Sequence, residues 1–222
     1  MRKLMAIILG MVLLPLLSSC GKADDFYSKI TVIDNTSSAK YVQINDMEEL
    51  IEKAKPNLIV RGKVTSRKES TIVDYSGKYS ADFLSSDASD DEKQYCAAAF
   101  LSTPYEIEVS EIFLGDEAES LTINMPYGIL DSYYRRDGGY PVLREGAEYL
   151  LFLRVDLMYG QRVYYLAFAP ASALELDGDK IIAGDGIAGS IFGGYDSYES
   201  LTAELQAYIG ENDIDISMDE FG

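Results

Sequence analysis

Apolar and polar positions alternate in short runs along this chain, the signature of half-buried β-strands. The clearest run is Tyr105-Glu106-Ile107-Glu108-Val109-Ser110, with Tyr105, Ile107 and Val109 on one face and the carboxylates on the other. In residues 58–65, Leu58, Val60, Gly62 and Val64 share a face, with Arg61 and Lys63 opposite and expected to lie across from Glu106 and Glu108. Gly62 inside a strand predicts a bulge or sharp bend. A phase slip at Glu111-Ile112-Phe113-Leu114 predicts another bulge, and Leu121, Ile123 and Met125 resume the inward set. Tyr149-Leu150-Leu151-Phe152-Leu153 is apolar on both faces and reads as a central strand, with residues 162–168 as its antiparallel neighbour. Residues 174–182 read as a hairpin turning on Asp177-Gly178 in type I′ form. Two β-rich runs, 29–33 and 41–44, make either a hairpin or a strand and a separate piece, and 70–75 reads as a returning strand.

Period 3.6 replaces period 2 in two places. Asp46 followed by Glu49 is a capping pattern, Met47, Leu50, Ile51 and Ala54 follow at helical spacing, and Pro56 ends the helix. The pattern recurs at Asp196 to Glu199, followed by Leu201, Leu205, Tyr208 and Ile209, with Gly210 as the stop. Residues 76–100 read as an insertion: an acidic loop over 85–92, then a short helix over 91–99. The acidic loop lacks the ligand spacing and central glycine of an EF-hand, so no metal is expected there. Residues 126–141 read as a long connection, and 211–222 as a loosely held acidic tail. Spacing alone therefore gives six to eight short, mostly antiparallel strands in a small, partly open barrel with an N-terminal and a C-terminal helix.

The first residues have a different character. Arg2 and Lys3 precede an apolar core from Leu4 to Leu17, too short for the ~18–20 residues of a membrane span. Leu17-Ser18-Ser19-Cys20 resembles the lipobox of bacterial lipoproteins. The resemblance implies a signal peptide over 1–19, a diacylglycerol on Cys20, a tether over 20–28 and an extracytoplasmic, membrane-anchored protein. An ordinary secretory signal with an incidental cysteine is the plainer alternative. Two or three acyl chains, at about 0.8 kcal/mol per buried methylene, hold a protein where one does not.

Charge narrows the partners. The chain of 222 residues carries a formal charge of −18, and loss of residues 1–19 removes Arg2 and Lys3 and leaves −20. Such a surface repels polyanions, so no nucleic acid partner is expected. With Cys20 acylated, Cys96 has no partner for a disulfide and reads as a small buried hydrophobe. The chain has no histidine, which excludes Ser-His-Asp and Cys-His catalysis and any histidine metal ligand. No cofactor is expected.

One more resemblance bears on the fold. Residues 58–64, then 105–109, Phe113-Leu114-Gly115-Asp116, and 143–153 follow the order of a group of bacterial lipoproteins. In these a V-x-G-x-V strand, a second strand, an LKG-type turn and a GxxYLLFL run build an OB-like five-stranded barrel. The match covers residues 46–183 and implies a single OB-like domain over 29–210, but no particular function. OB-like barrels bind through one face and its bordering loops. The residues singled out for binding are Tyr127, Tyr133, Tyr134, Arg135, Arg136 and Tyr140, because the long connection combines rigid amphipathic rings with an arginine pair. The expected function is a non-catalytic module that binds an envelope protein, peptide or glycan. The alternative is an envelope hydrolase using carboxylates such as Glu106 and Glu108, or a Ser-Lys pair.

Overall fold

A computed structural model describes residues 30–35, 43–116, 118–184, 186–214 and 216–221. The signal segment, Cys20 and the whole tether therefore lie outside the described residues. In chain order the elements are β1 (Thr31–Asp34), α1 (Met47–Ala54), β2 (Leu58–Arg67), β3 (Thr71–Ile72), a 3₁₀ turn (Ala81–Ser85), α2 (Asp90–Phe100), β4 (Leu101–Leu114), β5 (Ser120–Met125), β6 (Gly128–Leu130) and β7 (Tyr133–Arg136). They continue with β8 (Glu148–Met158), β9 (Gln161–Leu166), β10 (Ala173–Asp177), β11 (Lys180–Ile182), α3 (Ile187–Phe192), α4 (Tyr198–Glu211) and β12 (Glu220–Phe221).

Five of these strands form a mainly β, OB-like barrel in the ring order β2-β4-β5-β9-β8 and back to β2. All neighbours are antiparallel except β5 and β9, which run parallel and meet through Ile123 and Tyr164 alone. The barrel is thus closed rather than partly open, but closed at one residue pair. Leu58, Val60, Val64, Tyr105, Ile107, Leu121, Ile123, Met125, Leu151 and Leu153 fill the interior, the inward set that alternation predicts. Gly62 sits beside a register shift in the β2–β4 pairing. A Cβ there would lie 2.5 Å from Ile107 Cγ2, so the bend brings the strands too close for any side chain. The phase slip before Leu114 is a second shift, with Val60 opposite Ile112 and Ile59 opposite Leu114.

The outer face of β2 and β8 carries Ile59, Leu150 and Phe152, which is why β8 is apolar on both sides. Helices α1, α3 and α4 cover that face. Asp46 caps α1 by accepting from the Glu49 N–H at 2.8 Å, and Met47, Leu50 and Ile51 are buried beneath it. Each such side chain contributes up to about 1.5–3 kcal/mol of burial. Ser197, rather than Asp196, caps α4. Helix α3 has no counterpart in the sequence reading because Gly189 within it and the glycines that flank it hide it. It places Phe192 against Phe152 at 5.7 Å between ring centroids.

Several expectations are corrected. Residues 43–45 form no strand, and β1 instead pairs in parallel with β7; Tyr41 and Val42 lie outside the described residues. Only Thr71 and Ile72 of the run 70–75 pair, and they pair with β4. The connection 126–141 is no loop but contains the β6–β7 hairpin, which joins β1 in a three-stranded sheet. That small sheet, β3 and α2 share a third cluster around Ile33, Leu84, Cys96, Ala97, Leu101 and Tyr133. The late hairpin turns on Gly178-Asp179, with Asp177 paired to Lys180, so the turn sits one residue further on and only Gly178 has positive φ. The tail is anchored as well: β12 pairs with the end of β8, and Asp219 forms an ion pair with Arg154 at 2.7 Å.

Candidate functional site

The weak point of the barrel carries a markedly apolar cleft. A parallel pairing of one residue pair leaves β5 and β9 diverging on either side of Ile123 and Tyr164. Over this seam lies a cleft of about 470 Å³, within the size range of small-molecule sites. Its base is the end of β5 and the outer side of β9, with Val163 and Tyr165. Residues 73–76 with Ala99, Phe100 and Ser102, at the two ends of the insertion, form one wall. Pro126, Arg135 and Tyr140 come from the β6–β7 region, and Met158 and Tyr159 from the β8–β9 turn. The two segments that depart from the compact barrel pattern are therefore the ones that wall the cleft.

The insertion wall and the β9 base are braced from behind. Asp74 holds residues 74–79 by accepting from Ser76 N–H and Oγ–H and from the Tyr79 N–H at 2.7–2.9 Å. Burial works against its charge, but these bonds win and keep its carboxyl below the usual range. Tyr75 accepts from Asn124 Nδ2 at 2.7 Å, tying the insertion to β5. Phe100 packs on Tyr79, ring centroids 5.4 Å apart. Tyr165 donates to the buried Asp156 carboxylate, which also meets Arg154. Burial first, then the hydrogen bond to Asp156, pushes the Tyr165 phenol up to about 12, so it remains a neutral donor.

The cation of the cleft is Arg135. Its Nη1 donates to the carbonyls of Ala99 (3.1 Å) and Leu101 (2.9 Å), while its buried Nε meets no acceptor. Burial pushes its pKa down, opposed by Asp137 and Tyr140. It nevertheless keeps its charge, as guanidinium does in proteins.

The six residues singled out by sequence scatter. Arg135 and Tyr140 line the cleft. Tyr127 is buried, its hydroxyl shared between Tyr105 Oη (3.0 Å) and the Pro141 carbonyl (3.2 Å). Tyr133 belongs to the third cluster. Tyr134 lies between Val32 and Ile129 across the small sheet. Arg136 pairs with Asp34 at 2.5 Å. Sequence reading passed over Tyr75, Phe100, Tyr159 and Tyr165. A local signal existed for one of them: Tyr159-Gly160 stands where a two-residue hairpin turn favours Asn-Gly.

Tyr159 has φ 50° and Gly160 φ 76°, the type I′ geometry. A bulky residue held there costs about 1–2 kcal/mol, and strain of this kind concentrates at functional surfaces. Tyr159 is 58% exposed at the cleft rim. Tyr159→Asn is therefore expected to stabilise the fold by about 1 kcal/mol, raising Tm by about 2–4 °C, while weakening whatever the rim contacts. Thermal denaturation checks the first half; an unchanged or lowered Tm would mean the turn is unstrained.

Glu106 and Glu108, the carboxylates considered for catalysis, lie on an adjoining polar groove. Glu106 accepts from Ser66 Oγ (2.8 Å) and pairs with Lys68 (3.1 Å), which hold its carboxyl below the usual range. Glu108 lies opposite Lys63, while Arg61 pairs instead with Glu148 at 2.6 Å. An ionised, half-buried Glu106 held by Ser66 and Lys68 is poorly suited to act as a general acid. Comparison with family models, curated proteins and solved structures finds no match to this chain.

Proposed function

We propose that this chain is a membrane-anchored extracytoplasmic lipoprotein whose barrel is a non-catalytic binding module, with the seam cleft as its binding surface. The observation that carries the binding half is the convergence of four separated stretches on one apolar cleft beside the barrel's closure. The anchoring half rests on Leu17-Ser18-Ser19-Cys20. OB-like barrels use this side of the fold, one face and its bordering loops, for ligands. Rigid tyrosines around a preformed cleft bind at low entropic cost.

Fractionation of cells with in-cell crosslinking tests both halves. Wild type is expected with the membranes, and Cys20→Ser in the soluble extracytoplasmic fraction. A photo-crosslinking residue at Tyr159 should yield an adduct that the same residue at Lys180, in the β10–β11 hairpin, does not. Cytosolic wild-type protein would refute the anchor, and equal labelling from both positions would refute the cleft.

A further inference from the structure

Arg135 is a cation in an apolar place, with the Asp137 charge near it. Among the described residues no carboxylate forms an ion pair with it. Two of its five N–H groups are spent on the Ala99 and Leu101 carbonyls, both through Nη1. Its Nε is buried, and among the described residues Nη2 has no acceptor, so Nη2 is the group left to meet a ligand in the cleft that Arg135 lines. The two carbonyls fix the plane of the guanidinium at the junction of α2 and β4. Around this cation the cleft is apolar and aromatic, with Phe100, Val163 and Tyr165 among its lining. On a chain of formal charge −18, a single guanidinium balances one negative charge and not two.

We propose that the seam cleft binds a small amphiphilic monocarboxylate, with its carboxylate on Arg135 and its apolar body along Phe100, Val163 and Tyr165. This rests on the reading of the cleft as the binding surface and adds the chemical class of the ligand. Charge recognition inside an apolar cleft is what separates an acid from its neutral isostere, because the neutral group leaves the guanidinium unpaired. The cleft volume suits one molecule of that kind, not a folded partner.

Titration calorimetry of the purified full-length chain, with decanoate against decanol, tests it. Decanoate is expected to bind about tenfold or more tighter than decanol. Arg135→Gln should remove the difference, and Arg135→Lys, which keeps the charge, should retain part of it. Melting curves of both variants separate loss of recognition from loss of the Ala99 and Leu101 bonds. If Arg135→Gln fails to fold, the wild-type comparison and Arg135→Lys still decide. Equal binding of the two probes overturns the inference and leaves the cleft reading standing. Binding of neither also overturns it; if the Tyr159 crosslink persists, the cleft still has a ligand of another class, and if it vanishes both readings fall.

Discussion

Asn57→Ala is expected to cost about 3 kcal/mol and to lower Tm by roughly 6–12 °C. Asn57 is buried at the start of β2, and its side chain behaves like one more residue of a strand. Its Nδ2 donates to the carbonyls of Val155 (2.8 Å) and Ser217 (2.9 Å), and its Oδ1 accepts from the Val155 N–H (2.6 Å). One amide thus joins β2, β8 and the segment leading to β12. Truncation leaves buried Val155 groups without these partners, and the penalty for that exceeds the modest net value of each bond. Asn57→Asp should be at least as harmful despite its nearly identical shape, because a second oxygen would face two carbonyls. Chemical denaturation measures the loss. A cost for Asn57→Ala below about 1 kcal/mol would mean that water replaces the amide. Hydrogen exchange should show the Leu157 N–H, which donates to the Asp219 carbonyl, losing protection first.

Asn57 also shows where sequence reading stops. The strands were legible because alternation and burial are the same fact: Tyr105, Ile107, Leu121, Ile123 and Met125 alternate because one side of each strand faces the barrel interior. The double-sided β8 was legible for the converse reason, with Leu151 and Leu153 inside and Leu150 and Phe152 beneath helices. The cap of α1 was local and so was visible. Asn57 makes bonds to residues 98 and 160 positions away, and nothing near it in sequence announces them. The cleft is non-local in the same way. Phe100, Arg135, Tyr159 and Tyr165 lie on different elements that the barrel closure brings together. Sequence drew attention to residues 126–141 as a dense group of tyrosines and arginines. Density along the chain is a poor guide once a hairpin forms, because alternate residues then face opposite ways: Tyr133 goes into a core and Tyr134 out of it. The small sheet itself was missed because its strands are three to four residues long, too short for a period to register.

Alkali, not acid near neutrality, is expected to unfold this protein, and the reason is compositional as much as structural. With no histidine in the chain, no side chain has an ordinary pKa between the carboxylates and the thiol. Burial, then the nearby Asp74, pushes the Cys96 thiol up as well. Stability should therefore be flat from about pH 6 to about pH 9. Above that range the phenols govern stability. Tyr165 is pushed up to about 12. Tyr127, Tyr195 and Tyr198 are pushed higher, in each case by burial first and then by hydrogen bonds to Tyr105, Glu204 and Glu111. In the unfolded chain the same groups ionise near about 10. A folded pKa above the unfolded one means that the contribution is fully present below about pH 10 and is lost as pH rises toward the folded values. Ionisation also adds negative charge to a chain already at −18. A titration followed by tyrosinate absorbance and circular dichroism should thus show two phases: exposed tyrosines ionising with structure intact, then the buried ones in step with loss of structure between about pH 10 and 12. Tyr195→Phe, whose partner Glu204 is exposed, should move the second phase to higher pH. Ionisation of all 17 tyrosines in one step with the dichroism unchanged would mean that the buried phenols reach solvent without unfolding.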